Sequence, residues 1–157
     1  MQTLIAISDT HGNRAAIDEL DPLFAENDII VHLGDTSADG NYIRNKFPAK
    51  THVINGNCET DPIGDDEEII TVEAVKILLC HGHKYSVKHT LFKLAERAKE
   101  QGCQIALYGH THDARVDEID GVTLINPGAC TRYGAKSYLY LAIHGKSFTH
   151  KIVPFGN

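Results

Sequence analysis

No apolar run in the 157 residues approaches the roughly 18–20 needed to cross a bilayer as a helix, so no membrane association is expected. Basic charge is not in excess. Fifteen lysines and arginines stand against 21 aspartates and glutamates, for a net charge of −6. That balance argues against a nonspecific nucleic-acid binder, whose affinity rests on neutralising phosphates. The start, Met1-Gln2-Thr3, has no basic segment and no small-residue cleavage site and runs straight into an apolar strand, so a cytoplasmic location is expected. The four cysteines, at 58, 80, 103 and 130, contain no C-x-x-C pair, which removes zinc knuckles and dithiol redox motifs. A disulfide framework does not suit this length or compartment, and Cys80 and Cys103 read as small core residues. Internal repeats, low-complexity segments and linkers are also lacking. With 42% hydrophobic and 23% charged residues, the chain reads as one domain, 1–157, large enough to bury a core.

Several hydrolase signatures are missing too. There is no His-x-His-x-Asp-His, no helical His-Glu-x-x-His and no Gly-x-Ser-x-Gly nucleophile elbow. Gly145-Lys146-Ser147 mimics the end of a phosphate-binding loop, but Tyr140 stands where the first glycine belongs, and the segment lies between strands.

What is present is a series of Ile-, Val- and Leu-rich runs. They predict strands over Leu4–Ser8, Ile29–Leu33, His52–Ile54, Ile69–Val72, Val75–Cys80 and Ile105–Tyr108. Further strands are predicted over Arg115–Ile119, Val122–Asn126, Tyr138–His144 and Ser147–Val153. Helical spacing marks Arg14–Phe24 behind an Asn13 cap, a shorter helix over Asn41–Lys46, and Thr90–Gln101 followed by Gly102. The polar stretch Glu59–Glu67 reads as a surface loop. Strands and helices alternate in the first half, as in a parallel sheet, and hairpins dominate the second, with a two-residue turn at Asp120-Gly121. The expected class is mixed α/β.

The chemistry lies where strands end. Asp9-Thr10-His11, Gly34-Asp35, Asn55-Gly56-Asn57, His81-Gly82-His83 and Gly109-His110-Thr111-His112 each follow one of five apolar strands. In open α/β sheets the ligand crevice lies outside those carboxyl ends. In extended backbone, residues i and i+2 point the same way, so Asp9 with His11, and His110 with His112, can each serve one place. Gly34, Gly56 and Gly109 let the backbone turn sharply beside them. Carboxylate, imidazole and amide oxygen suit Mn, Fe, Zn or Ni. Seven candidates are too many for one ion and fit two ions sharing a carboxylate, which clamp a phosphoryl group when about 3.5–4 Å apart. The remaining histidines, His32, His52, His89, His144 and His150, read as surface or satisfied core residues.

Asp9-x-His11, Gly34-Asp35, Gly56-Asn57, His81 and Gly109-His110-x-His112, in this order, resemble the calcineurin-like metallophosphoesterases. The string Gly56-Asn57-Cys58-Glu59 and the loop Asn126-Pro127-Gly128 resemble the small bacterial and archaeal phosphodiesterase branch. The resemblance implies a two-sheet sandwich of mixed sheets flanked by helices. It implies that Asp9, His11, Asp35 and His112 hold a first divalent ion, with Asp35 bridging, and that Asn57, His81 and His110 hold a second. Manganese is the first choice of metal. The implied activity is hydrolysis of a small phosphoester, most simply a diester, by a metal-bound hydroxide, with Asn57 and His81 setting geometry. Cys58 stands where the wider family has a histidine, and reads as a pocket-wall residue ahead of a catalytic one. His83 and Arg132 are candidate substrate contacts, each weighed against a plain loop residue. Alternatives are a phosphomonoesterase or nucleotide phosphatase with the same metals, and a metal-free interaction scaffold such as the retromer subunit of this fold. Assembly into a homo-oligomer stays open.

Overall fold

Period-two alternation in the strands decides how the layers form. In β1 (Gln2–Ile7), Leu4 and Ala6 face one way and Ile5 and Ile7 the other, and all four are fully buried. A strand buried on both faces must be covered on both, and it is. A computed structural model, describing residues 1–59 and 62–156, shows two five-stranded sheets stacked face to face with helices outside. Thr60 and Asp61 of the expected polar loop, and Asn157, lie outside the described residues.

The order of elements is β1, α1 (Arg14–Glu26), β2 (Ile29–His32), α2 (Ser37–Lys46), β3 (Thr51–Val53), β4 (Glu67–Val72) and β5 (Val75–Cys80). After a 3-10 turn at His83–Tyr85 come α3 (Phe92–Glu100), β6 (Ile105–Leu107), β7 (Arg115–Ile119), β8 (Val122–Asn126), β9 (Lys136–His144) and β10 (Ser147–Phe155). The first sheet runs β10-β9-β1-β2-β3 and the second β4-β5-β6-β8-β7. β1, β2 and β3 are parallel, as are β5, β6 and β8, while hairpin partners run antiparallel at the edges.

Between the sheets, Leu4, Ala6, Val31 and Leu33 meet Ile77, Leu79, Ile105 and Leu107. Outside the first sheet, Ile5, Ile7 and Ile30 pack on Ile17, Leu20 and Phe24 of α1 and Ile43 of α2. Outside the second, Leu78, Ala106 and Leu124 pack on Leu94, Ala95 and Ala98 of α3. Fully burying each large apolar side chain contributes roughly 1.5–3 kcal/mol. Cys80 and Cys103 belong to this last cluster, and all four cysteines are free thiols.

All ten expected strands form, with shifts at several strand ends and two helix starts. β1, β2, β3 and β6 stop one residue short of the apolar run, at Ile7, His32, Val53 and Leu107, where the chain leaves the sheet for the loops described below. α2 starts at Ser37, four residues before the expected Asn41. Gly40, a poor helix former, hides this start. It is required because a Cβ there would lie 2.6 Å from Val53 Cγ1 on β3. α3 starts at Phe92, whose N–H is accepted by Thr90 Oγ1 at 3.2 Å, so Thr90 acts as a cap and not as a helical residue. Its far end closes as expected: Gly102 is left-handed (φ 72°), and Gly102 and Cys103 donate to Lys99 and Ala98 carbonyls.

Candidate metal centre

The carboxyl ends of β1, β2 and β3 in one sheet and of β5, β6 and β8 in the other open on the same edge of the sandwich. Asp9, His11, Asp35, His81, His110 and His112 meet there in two groups. Asp9, His11 and His112 can bring ligand atoms within 4.8 Å of one another, and so can Asp35, His81 and His110. The first group is open to solvent at both histidines, whereas Asp35 and His81 of the second are buried. The ring centroids of His11 and His112 are 5.4 Å apart, and those of His81 and His110 5.1 Å.

Asp35 lies between the groups. Its Oδ2 is 3.3 Å from His81 Nε2 and 3.8 Å from His11 Nε2, while its Oδ1 accepts a hydrogen bond from Cys58 N–H at 2.9 Å. Burial alone would raise its pKa. His81, the Cys58 N–H and His11 outweigh that and hold the carboxyl well below the usual range.

Two atoms test whether cations fit. Asp9 Oδ2 accepts from Ser8 Oγ at 2.6 Å and His110 N–H at 3.0 Å, which leaves Oδ1 bare. His81 Nδ1 lies 2.8 Å from the Leu33 carbonyl and must donate to it, so Nε2 carries the free lone pair. Asp9 Oδ1 and His81 Nε2 are both buried without a hydrogen-bond partner, 3.8 Å apart. Buried polar atoms are nearly always satisfied. A carboxylate oxygen and an imidazole nitrogen left bare in one crevice, each aimed by its own hydrogen bonds, are the donor set of a divalent cation. Without a cation the two carboxylates draw a proton: burial lowers the pKa of His81, but Asp35 and Asp9 outweigh it and raise it.

The local backbone departs from expectation. Asp9, His11, Asp35, His110 and His112 are all left-handed, with φ between 45° and 71°. The i, i+2 pairs therefore share a side through tight turns and not through extended strand. Such conformations cost on the order of 1–3 kcal/mol each and persist only where the surroundings impose them. Here Asp9 N–H donates to the Gly34 carbonyl and His11 N–H to the Asp35 carbonyl, locking the two loops together. The glycines are also explained differently. Gly34 alone of the three has a positive φ (104°); Gly56 and Gly109 serve close approach, since a Cβ would lie 2.0 Å from Asp35 Oδ1 and from Ser8 Oγ respectively.

The calcineurin-like phosphoesterase superfamily domain matches residues 1–146. The chain belongs to that family. It is 33% identical over 129 residues to probable metallophosphoesterase YsnB of Bacillus subtilis, covering 80% of this chain and 73% of the relative. It is 27% identical over 147 residues to phosphodiesterase MJ0936 of Methanocaldococcus jannaschii, covering 81% and 83%. Among solved structures it resembles Vps29 of Entamoeba histolytica complexed with zinc, with a TM-score of 0.76 at 20% identity, covering 98% and 99%. That likeness concerns the fold, the two-sheet sandwich flanked by helices.

The other candidates of this phosphoesterase lie around the crevice. Asn57 is exposed between Gly56, which packs on Asp35, and Cys58, whose N–H binds it. The Cys58 side is exposed; desolvation and then the Asp35 carboxylate push the thiol up, which disfavours the thiolate. His83 stacks near His81 and His110, at centroid distances of 5.5 and 6.1 Å, and its Nδ1 is buried without a partner. Burial, then His81 and Lys84, push its pKa down. Arg132 is exposed and donates from Nη2 to the Gly12 carbonyl at 3.3 Å, beside the His11 loop.

Glu59 and Asn126 are supports to which sequence reasoning gave no role beyond their place in two strings that carry the family resemblance. Glu59 accepts from the backbone N–H groups of Asp35 at 3.0 Å, Gly56 at 2.9 Å and Ser37 at 2.6 Å. Burial would raise its pKa, but these three donors lower it. Asn126 donates to the Gly109 carbonyl and to Thr111 Oγ1 and holds the His110–His112 loop. The sequence signals are those two strings and adjacency: Glu59 closes the Gly56-Asn57-Cys58 string and Asn126 ends a strand.

Proposed function

We propose that this chain is a phosphodiesterase, acting as one catalytic domain on a small phosphoester at a centre for two divalent ions, manganese foremost. Asp9, His11 and His112 would hold the first ion, Asn57, His81 and His110 the second, and Asp35 would be shared. The observation that carries this is the pair of bare, buried atoms, Asp9 Oδ1 and His81 Nε2, facing each other across the crevice.

Divalent ions supply Lewis acidity there, acidifying water and offsetting charge on phosphoryl oxygens. The chain's own residues do the rest. Ser8 and the His110 N–H aim Asp9, and the Leu33 carbonyl fixes the tautomer of His81. The open side, at His11 and His112, admits the ester. Arg132, beside the His11 loop, and His83, beside His81 and His110, would donate to phosphoryl oxygens. The diester preference is supported by the relative named as a phosphodiesterase.

Metal analysis combined with hydrolysis of bis(p-nitrophenyl) phosphate and p-nitrophenyl phosphate, across Mn, Fe, Zn and Ni, tests the reading. Metal-dependent turnover favouring the diester is expected. Preference for the monoester would make the chain a phosphomonoesterase, and protein that binds no metal would make it a scaffold.

A further inference from the structure

Behind the candidate ligands, the same two loops carry a buried polar relay. Gly34 N–H donates to His32 Nδ1 at 3.2 Å, so Nδ1 holds the lone pair and Nε2 the proton. Nε2 then donates to Thr10 Oγ1 at 2.9 Å. The Thr10 hydroxyl donates to Asp39 Oδ2 at 2.6 Å, and Gly12 N–H donates to the same oxygen at 2.7 Å. The Arg14 guanidinium lies 3.6 Å from the other oxygen, Oδ1. His32 and Thr10 are fully buried and Asp39 is 2% exposed.

Burying a hydroxyl, an imidazole and a carboxylate costs free energy that an apolar filling would not. What the relay touches explains its presence. Thr10 lies between Asp9 and His11, Gly12 follows His11, and Gly34 precedes Asp35. All three candidate ligands are left-handed, a conformation that needs outside support. Asp39, on the first turn of α2, thus grips the β1 loop at both sides of His11, while His32, at the end of β2, joins that loop to the backbone before Asp35.

We propose that Asp39, through Thr10 and His32, is a positioning residue that sets the Asp9–His11 turn against Asp35 and thereby tunes divalent-ion affinity at the Asp9, His11 and His112 group. This rests on the reading of the crevice as a divalent-ion centre. Supports of this kind are worth about 10–100-fold in metal affinity.

The test is titration of chelated protein with Mn²⁺ by calorimetry and with Co²⁺ by visible absorption, for wild type, Asp39→Ala and Asp39→Asn. An Asn amide oxygen in the Oδ2 place can accept both hydrogen bonds. Folded Asp39→Ala should therefore bind one of two ions about 10–100-fold more weakly, with an altered cobalt spectrum, while Asp39→Asn stays within about threefold of wild type. A role in general packing alone would lower thermal stability and leave ion affinity and spectrum unchanged. If Asp39→Ala does not fold, Thr10→Val against Thr10→Ser carries the same comparison, since Val keeps the shape and loses the hydroxyl. Wild-type affinity for both ions in Asp39→Ala or Thr10→Val overturns the positioning role. So does an Asp39→Asn as impaired as Asp39→Ala. A wild-type protein that binds no ion overturns the centre itself, and the positioning role with it.

Discussion

The two ligand groups are built on different principles. His81, just past β5, is buried and locked through its Nδ1 to the Leu33 carbonyl just past β2 of the opposite sheet, so the sandwich core itself aims this ligand of the second group. Asp9, His11 and His112, like Asp35 and His110, sit on left-handed turns, and two of the first group's three side chains are exposed. Their geometry comes from hydrogen bonds between loops. The contrast teaches that one ligand, His81, is held by the core, while the others, Asp35 and His110 included, depend on loop supports that single substitutions can remove.

Removing what the groups share should have the largest effect. Asp35→Asn is expected to abolish turnover and to release both ions together, measured by metal content and diester hydrolysis. Two retained ions with near-normal activity would take Asp35 out of the bridge. Next is Glu59, whose carboxylate gathers three backbone N–H groups around Asp35. Glu59→Ala should weaken ion binding by about 10–100-fold, with the loss concentrated on the Asp35, His81 and His110 group. Equal affinity in the variant would show that the loop holds its own shape.

A pH experiment singles out His81, the ligand held by the core. In chelated protein the raised pKa of His81 contributes stability that is complete below the unfolded value of about 6.5 and is lost as pH rises through the higher folded value. Thermal unfolding of chelated protein should therefore fall on going from pH 6 towards alkaline pH. Metal-loaded protein should lack this slope, because an ion replaces the proton on Nε2. Identical slopes would detach His81 from the ions.

The smallest effect is expected at Cys58. With its thiol pushed up and exposed, Cys58→Ala should change hydrolysis of an activated aryl ester by less than about threefold, since activated leaving groups need little general-acid help. Cys58→His should raise turnover most for poor leaving groups. Loss of activated-ester hydrolysis in Cys58→Ala with both ions bound would make the thiol essential.

Legibility in the sequence follows the same division. The central strands were readable because both faces are buried, leaving unbroken apolar runs, and the candidate ligands because each follows such a run. The start of α2 was hidden by Gly40, whose reason is a contact with Val53 on another element. The left-handed turns left no pattern in spacing. Glu59, His32 and Asp39 were unreadable as supports because their partners, apart from the Glu59–Gly56 and His32–Gly34 contacts, lie 22 to 29 residues away and exist only once the loops meet. His32 is indeed a satisfied core histidine, but what it satisfies is a loop of the candidate centre.

The most direct measurement is the ion stoichiometry of chelated protein titrated with Mn²⁺ while hydrolysis of bis(p-nitrophenyl) phosphate is followed. Two ions per chain, with full activity only after the second is bound, are expected. Saturation at one ion or none, or undiminished hydrolysis by the chelated protein, would contradict a two-ion centre.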